Sequence, residues 1–482
     1  MAKIKTHILE LTAFTSGAVV MMLELTGSRI LSPYLGTSTF IWTSLIGIIL
    51  GSLSLGYWLG GRLADQKLSF KTLSSILALA GLLIAATALF QKPILEAIEI
   101  ALSDLRTASI LATIILFTPA SIFLGMVSPY CIRLKLSSLK TSGQTVGNLY
   151  AISTIGSIFG TFLTGFFLLA YLGSIQILFL LAAILALTAL LLSKSIPKLV
   201  LIIAILALAF NNQAKAEDVI DIDTEYNRVQ IYEDSEIRYL EVGRNESSAM
   251  HIYKNELVYD YTKFYDLAEE FAPDFKSALM IGGGAYSYPK HFLTKYPEAK
   301  LDVVEIDPKL TEISEQYFNL KKDPNLEIYH QDGRTFLNKN KRKYDVIFGD
   351  AFKSLYSIPY QLTTLEATQR LANSLSKNGV AIVNIGGSIN GDSGKFFRAQ
   401  YRTFKEVFPQ VEVFLVQKLD PTVIQNIILV AHKSEQKIPQ NSDNQMLKQI
   451  WNEEIPLDMP ILTDNFAPVD QYMMSFFDQI KL

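Results

Sequence analysis

The sequence has very little cysteine and histidine. Cys131 is the only cysteine in 482 residues, and the five histidines lie far apart at positions 7, 251, 291, 330 and 432. A single cysteine cannot form a disulfide within the chain, nor can it supply the paired thiolates of a structural metal site. The histidines show no spacing typical of metal ligands. We therefore expect no metal.

Charge is also scarce in the first half. Before Asn211 the sequence has thirteen Lys or Arg and six Asp or Glu, whereas the whole chain has 43 and 46. The apolar runs that fill this half are 7–31, 40–61, 70–90, 108–128, 147–172, 175–192 and 196–210. The first six reach the ~20 residues that a membrane-spanning helix needs, whereas the last would span only ~22 Å. The pattern predicts a multi-pass protein of the cell (inner) membrane, with a bundle of six or seven helices over residues 1–211 in the lipid bilayer.

The loops indicate the orientation of this bundle. The N-terminus and every second loop hold ten Lys or Arg, and the alternate loops hold three. This bias predicts a cytoplasmic N-terminus. Six crossings would then leave the second half in the cytoplasm, and seven would place it outside. Ala214-Lys215-Ala216 resembles a secretory cleavage site and favours the outside. The supply of the ligand that the glycines at 282–284 would bind favours the cytoplasm. We favour the cytoplasmic side, and the sequence leaves the periplasmic side open.

Two ionisable residues of the first apolar run are functional candidates. Glu24 is costly in lipid unless it faces a partner or a polar cavity, and Arg29 follows it in the same run. A structural ion pair explains the two residues as well as a substrate site does. In the fifth run, Gly156 and Gly160 predict a close helix contact, and we expect Gly147 and Gly165 to extend it.

The second half has the pattern of a soluble α/β protein. After a polar linker at 212–217, alternation over 227–254 predicts three antiparallel strands in a small β-subdomain at 218–259. Strands at 278–281, 301–304, 326–330, 344–349 and 380–385 then alternate with helical segments, and an antiparallel pair follows at 411–416 and 424–431. This order predicts a parallel sheet over residues 260–482 that binds ligands beyond the carboxyl ends of its strands.

Those strand ends carry the residues of chemical interest. The first strand runs into Gly282, Gly283 and Gly284, and the second ends on Glu305. Glycines allow close approach of an adenosyl ligand, and a carboxylate at the second strand can accept both ribose hydroxyls. Asp332 follows the third strand, where it is also a good helix N-cap. Asp350 follows the fourth directly, before a loop with no helical period.

Four motifs carry a resemblance to a known family: LMIGGGAYSYP, VVEIDP, HQDGRTFL and YDVIFGDAF. Over about residues 227–431 the chain resembles the spermidine synthase family of aminopropyltransferases, and its apolar half is similar to that of the membrane-fused bacterial members. The resemblance implies an α-helical transmembrane bundle plus an α/β domain, of the class I S-adenosylmethionine-dependent-transferase-like (Rossmann-type) fold.

The resemblance also implies roles for single residues. Glu305 would hold the ribose, and Asp332 with Gly333 would contact the adenine. Asp350 would accept the proton, and Pro359 would line the adenine or thioadenosine pocket. An amine with a pKa near ~10 attacks a sulfonium carbon only as the free base, so a carboxylate must take its proton. The candidates for holding a distal ammonium are Asp260, Asp266 and Asp464.

The chain departs from the family pattern at several positions. Ala285 stands where the family usually has an acid after the glycines, and Lys353 lies in the loop after Asp350. The segment 256–266 offers Val258, Phe264 and Tyr265 in place of a glutamine and a Tyr-His pair. Recognition of the nucleoside is therefore better supported than recognition of a polyamine.

Three functions stay open at this point. The first is aminopropyl transfer from decarboxylated S-adenosylmethionine to a small amine such as putrescine. The second is methyl transfer from S-adenosylmethionine on the same scaffold, which Ala285 favours. The third is membrane transport or sensing with a nucleoside-binding domain. We expect no nucleic-acid partner, and a homodimer is one assembly that the sequence allows.

Overall fold

The computed structural model resolves the chain into two compact units. The first consists of Met1–Glu217 with Ile222–Arg228, and the second of Asp218–Asp221 with Val229–Leu482. The residues that the structure describes are 2–102, 104–136, 138, 141–193, 219–243, 245–254, 256–351, 358–435 and 444–476.

The first unit is built from long apolar helices. They are α1 (Ala2–Leu35), α2 (Thr39–Gln66), α3 (Phe70–Ala101), α4 (Leu105–Lys135), α5 (Ser142–Leu163) and α6 (Ser174–Leu192). A π-helical stretch, Thr164–Leu168, and a short turn, Leu169–Tyr171, extend α5. Within the described residues, six helices are long and apolar enough to cross a membrane, which agrees with the first six predicted spans. The weaker run at 196–210 lies outside the described residues.

Glycines allow pairs of these helices to approach closely. A Cβ on Gly156 or Gly160 of α5 would overlap the backbone of α1, and a Cβ on Gly60 of α2 would lie 2.6 Å from the Cα atom of Met126 in α4. Gly147 meets nothing within 4 Å, so its predicted place in the contact is wrong. It precedes Gly156 by about two and a half helical turns and therefore lies on the opposite face.

Gly165, the other predicted extension of this contact, also meets nothing within 4 Å. It lies in the π-helical stretch, where the α-helical spacing of the contact ends. The glycine contact of α5 with α1 is therefore shorter than the sequence predicted.

A small antiparallel sheet precedes the main domain. Its strands are β1 (Val219–Asp223), β2 (Arg228–Asp234), β3 (Ile237–Val242) and β4 (Asn245–His251), in that spatial order. The sequence predicted three of them. A helical run follows, composed of Asp260–Lys263, Phe264–Leu267 and Ala268–Phe271.

The main sheet contains seven strands in the order β10-β11-β9-β8-β5-β6-β7. They are β5 (Ser277–Ile281), β6 (Lys300–Glu305), β7 (Leu326–His330), β8 (Tyr344–Gly349), β9 (Leu375–Gly387), β10 (Gln410–Leu415) and β11 (Gln425–His432). Strands β5 to β9 are parallel, and β11 and β10 add an antiparallel edge. The order reverses beside β5, which is where such sheets bind their ligands. The predicted fold class is confirmed.

Helices alternate with these strands. They are α7 (Ser287–Lys295), α8 (Pro308–Tyr317), α9 (Gly333–Lys339), α10 (Leu365–Ser374), α11 (Lys395–Lys405) and α12 (Val469–Tyr472). Apolar side chains of β5, β6, β8 and β9 are almost all buried, as expected for parallel strands that are covered on both faces. This rigid layer fixes the positions of the strand ends.

Candidate active site

The turn after β5 requires glycine for two separate reasons. Gly282 and Gly284 have φ angles of +101° and +53°, in the region that other residues rarely adopt. A Cβ on Gly282 would also overlap the carbonyl oxygen of Asp350. The backbone of β5 and the end of β8 are therefore in direct contact at this point.

The Glu305 carboxylate lies against this turn. Its Oε2 accepts hydrogen bonds from the amides of Gly283 and Gly284 at 2.9 and 3.2 Å, and its Oε1 accepts one from the Asp307 amide at 2.9 Å. Burial raises the pKa of Glu305 above its ordinary value, while the three amides favour the carboxylate. Because Oε1 has a single amide donor, it is the oxygen with capacity for a ligand hydroxyl.

The start of α9 approaches the end of β5. The Asp332 carboxylate caps the helix, since Oδ1 accepts from the Thr335 amide at 2.8 Å. A Cβ on Gly333 would lie 2.8 Å from the Cγ2 atom of Ile281. The N-cap interpretation of Asp332 therefore holds, and the cap leaves Oδ2 facing Gln361 Nε2 at 3.5 Å.

Asp350 follows β8, and its carboxylate is held by two polar side chains from distant parts of the chain. Oδ2 accepts from the Tyr261 hydroxyl at 3.2 Å, and Oδ1 accepts from Asn384 Nδ2 at 3.3 Å. Burial raises the pKa of Asp350 to about 6, although these donors oppose the shift. A carboxyl group with this pKa is ionised at neutral pH and can take up a proton readily.

Two cavities flank this carboxylate. The first has an empty volume of about 330 Å³, and its lining combines the apolar Leu257, Val258 and Met280 with polar and aromatic side chains. The latter include Ser248, Tyr259, Tyr261, Ser287, Tyr288 and Asp350 itself. The second has an empty volume of about 570 Å³ and is mainly apolar, with Ile281, Leu337, Ile358, Pro359 and Leu362 among its lining. Polar and apolar chambers thus adjoin at the carboxyl ends of β5 and β8.

Comparison with known proteins identifies this arrangement. Residues 261–443 match the family model described as the spermine/spermidine synthase domain. The chain therefore carries a spermine/spermidine synthase domain over these residues. This family is one of aminopropyltransferases, which are transferases.

The relatives differ in how much of their own length aligns with this chain. A polyamine aminopropyltransferase of Vibrio vulnificus is 27% identical over 221 residues, which are 42% of this chain and 71% of the relative. A probable polyamine aminopropyl transferase of Bifidobacterium longum is 29% identical over 247 residues, 45% of this chain and 54% of the relative. The chain thus spans little more than half the length of the second. A solved probable spermidine synthase from Corynebacterium glutamicum is 23% identical, with a TM-score of 0.42, over 46% of this chain and 83% of that one.

The three acids predicted to hold a distal ammonium already have partners within the synthase domain. Asp260 pairs with Lys263 at 2.7 Å on the surface. Asp266 pairs with Lys295 at 2.9 Å and also accepts hydrogen bonds from His291, Tyr288 and Tyr296. These contacts tie both carboxylates to neighbouring side chains.

Asp464, the third of these acids, joins the last segment of the chain to α9 and α10. Its carboxylate accepts from Arg334 Nη2 and from the Thr364 hydroxyl, both at 2.7 Å. Arg334 also donates to the carbonyl oxygen of Gln361 at 3.0 Å. Asp464 therefore fastens the tail to the helix that Asp332 caps.

The two membrane candidates do not form an ion pair with each other. Arg29 donates to the carbonyl oxygens of Thr224 and Glu225 in the segment that follows the bundle. Among the residues that the structure describes, no hydrogen-bond or ion-pair partner of Glu24 is present. Across the same described residues, no group of three His, Cys, Asp or Glu side chains is arranged to hold a metal ion.

Two residues of the site were not selected from the sequence. Asn384 lies inside the long strand β9, where its buried polar side chain interrupts an apolar run. Tyr261 lies in the segment 256–266 that departs from the family pattern. A polar residue within a buried parallel strand was the signal available for Asn384, and no comparable signal marks Tyr261 among 22 tyrosines.

Proposed function

We propose that the synthase domain transfers an aminopropyl group from decarboxylated S-adenosylmethionine to a small primary amine. The observation that carries the proposal is the Asp350 carboxylate, which is held by Tyr261 and Asn384 and lines the polar cavity, while its neighbours Gly349 and Ala351 line the apolar one. The amine would enter the polar cavity, and the nucleoside would occupy the apolar one.

The reaction assigns a task to this carboxylate. The amine nitrogen forms a bond to the methylene carbon beside the sulfonium, and the carbon–sulfur bond breaks with its electron pair going to sulfur. Methylthioadenosine leaves, and the nitrogen loses one proton. Asp350 accepts that proton and passes it to solvent, because its pKa of about 6 lies close to neutral pH.

The nucleoside contacts follow from the same strand ends. Glu305 Oε1 would accept a ribose hydroxyl, and the apolar cavity with Pro359 would take the adenine. Asp332 and Gly333 would bound that cavity at the start of α9. These assignments rest on the side-chain positions described above and on the family pattern.

Donor preference tests the proposal. Purified protein is titrated with decarboxylated S-adenosylmethionine and with S-adenosylmethionine, and turnover of each is followed with 1,4-diaminobutane. We expect tighter binding of the decarboxylated donor and release of methylthioadenosine. Turnover of S-adenosylmethionine alone, with release of S-adenosylhomocysteine, would refute aminopropyl transfer.

One observation favours methyl transfer as the second candidate. The Ala285 amide donates to the Ser248 hydroxyl at 3.1 Å, so a neutral serine lies beside the position where the family usually has an acid. Methyl transfer does not require an acid at this position to bind the ammonium of a transferred aminopropyl group. The same titration distinguishes the two candidates.

We also propose a side of the membrane for the segment 222–228. Arg29, near the end of α1, binds the carbonyl oxygens of Thr224 and Glu225, and Asp223 Oδ2 accepts from the Ser174 amide at 3.2 Å where α6 begins. The loops that join α1 to α6 are short, so successive helices run antiparallel. The segment therefore lies at the end of the bundle opposite to the N-terminus and to Leu192.

If the N-terminus is in the cytoplasm, as the loop charges predict, residue 222 would lie on the outer side. Cofactor supply favoured the cytoplasm for the second half from the sequence alone, whereas these contacts support the periplasmic side for the segment 222–228.

Cysteine labelling tests on which side of the membrane the segment 222–228 lies. Cys131 is buried and is the only cysteine, so Cys131→Ala gives a clean background. Lys67→Cys and Glu225→Cys introduce exposed thiols at the two ends of the bundle. A membrane-impermeant maleimide should label position 225 in intact cells and position 67 only after permeabilisation. Labelling of both positions from one side would refute the placement.

A further inference from the structure

A third cavity adjoins the polar one. It lies among the end of β4 with the loop that follows it, α7 and the residues 319–323, and it has an empty volume of about 1350 Å³. Ala249, Leu257 and Ser287 line both cavities, so the two are neighbours that share part of their walls. The third cavity is large enough to take an organic ligand of its own. We call it the lysine cavity.

The lining of the lysine cavity contains more basic than acidic side chains. Lys254, Lys290 and Lys321 line it, against the two acids Glu256 and Asp323. Asp323 is already engaged locally, because its Oδ1 accepts from a backbone amide two residues further on at 2.8 Å. Like charges repel, so this lining favours an anion over a cationic amine.

Lys290 is the least exposed of the three lysines. Its ammonium group donates to the carbonyl oxygen of Phe318 and lies 3.6 Å from the sulfur of Met250. Over the described ranges of the chain, no carboxylate lies within ion-pair distance of this nitrogen. Burial lowers the pKa of Lys290 to about 8, and the charge of Arg238 acts in the same direction.

At neutral pH Lys290 is therefore still mainly charged, although its neighbours are a carbonyl, a thioether and another cation. A partly buried charge of this kind is costly unless it is paired. An anion in the cavity would supply the missing counter-charge. The stabilisation would be mutual, because the bound anion would in turn favour the protonated lysine.

His251 adds a second polar group to the same lining. Its Nδ1 atom is buried and has no hydrogen-bond partner among the residues that the structure describes. Buried polar atoms are nearly always satisfied by protein, water or a ligand. An unsatisfied nitrogen in the wall of a cavity therefore points to a polar occupant.

We propose that the lysine cavity binds a small organic anion that bears phosphate or carboxylate groups. Lys290 would be its principal contact, and Lys254 and Lys321 would add charge from exposed positions. This site is separate from the chemistry at Asp350, and the inference does not depend on the proposed function.

Calorimetry with two anions of different chemistry tests the site. Pyrophosphate and citrate are titrated into the full-length protein in detergent, with excess methylthioadenosine present to fill the nucleoside site. We expect saturable binding of at least one anion, and the tighter of the two identifies the preferred group. Lys290→Met should weaken it ~10- to 100-fold, the range for one hydrogen bond to a charged group. Lys276→Met, an exposed lysine outside the lining, is the matched control and should leave the affinity unchanged.

A second variant covers the case in which Lys290→Met disturbs the fold, which thermal denaturation would reveal. Lys254→Gln combined with Lys321→Gln changes only exposed side chains and should weaken the anion ~2- to 10-fold, since exposed charges contribute less. A wild-type protein that shows no saturable heat with either anion would overturn the proposal. Binding that none of these lining substitutions weakens would also overturn it, because the anion would then lie elsewhere. Neither result would bear on aminopropyl transfer, which the donor titration tests.

Discussion

The hydroxyl of Tyr261 lies 3.2 Å from Oδ2 of Asp350, although 89 residues separate the two in the chain. The helical run after the small sheet thus brings a phenol to the end of β8, where it contacts the proposed base. Burial acts in the opposite direction, because it disfavours the charged carboxylate. The hydrogen bond and burial together set the pKa of Asp350, and therefore the pH above which its carboxylate is ionised and can accept a proton.

Asp350→Asn should lower kcat by ~10²- to 10⁴-fold, the usual contribution of a general base. In the wild type, kcat/KM should rise with pH through about 6, because Asp350 must lose its proton before it can accept another. The limb near pH 6 should vanish in the variant. Nucleoside affinity, measured by calorimetry, is the control and should stay unchanged. A variant with wild-type turnover would show that another group takes the proton.

Tyr261→Phe tests the donor on this carboxylate. The hydrogen bond from Tyr261 favours the ionised form of Asp350, so its removal should raise the pKa of Asp350 further. The rising limb of the pH profile should therefore move to higher pH, with a smaller loss of kcat at pH 9 than at pH 7. Tyr253→Phe removes the hydroxyl of an exposed tyrosine and serves as control. A limb that stays in place would contradict a role of Tyr261 in tuning the base.

Glu305→Gln should weaken methylthioadenosine binding by ~10- to 100-fold, the range for loss of one charged hydrogen bond. The amide cannot satisfy the Gly283, Gly284 and Asp307 amides together, because one of its ends is a donor. Calorimetry gives the affinity, and Glu312→Gln, an exposed substitution on α8, should leave it unchanged. Equal affinity in the two variants would remove Glu305 from the nucleoside site.

Gly282→Ala separates backbone strain from close contact. Gly391 also has a positive φ, +74°, but a Cβ there meets nothing within 4 Å. Gly391→Ala should cost only ~1 kcal/mol of stability, the conformational penalty. Gly282→Ala adds the overlap with the Asp350 carbonyl and should cost several times more, as a lower midpoint of urea unfolding. Similar midpoints would show that the turn can relax.

In the membrane half, Gly60→Ile should disrupt the contact of α2 with α4, because a Cβ at this position would lie 2.6 Å from the Cα atom of Met126. Gly51→Ile on the same helix points into open space and is the matched control. Thermal denaturation in detergent should show a lower midpoint for the first variant alone. Equal midpoints would mean that α2 and α4 are not in contact through Gly60.

The sequence predicted those parts of the protein that depend on local patterns. Alternating apolar runs and glycine turns located β5 to β9, and the acids at their ends led to Glu305 and Asp350. The hydrogen bonds of Glu246 with Tyr232 and Tyr259 were not predicted, since these residues come together only through the pairing of β2 to β4 and the path of the following loop. The alternation of polar and apolar residues predicts that Glu246 is an ordinary surface residue of a strand. Similarly, Asp266 looked like a free acid in the sequence. Its partners His291 and Lys295 come from the next helix, α7, and no local pattern shows that contact.

The contact between Gly282 and the carbonyl of Asp350 also limits how this enzyme can diverge. A Cβ at position 282 would overlap the carbonyl oxygen of Asp350, so we expect this position to tolerate only glycine. Val258 and Tyr259, which also line the polar cavity, lie outside this contact. We therefore expect new acceptor preferences to evolve, or to be selected in the laboratory, through substitutions of these side chains, while the turn at Gly282 is retained.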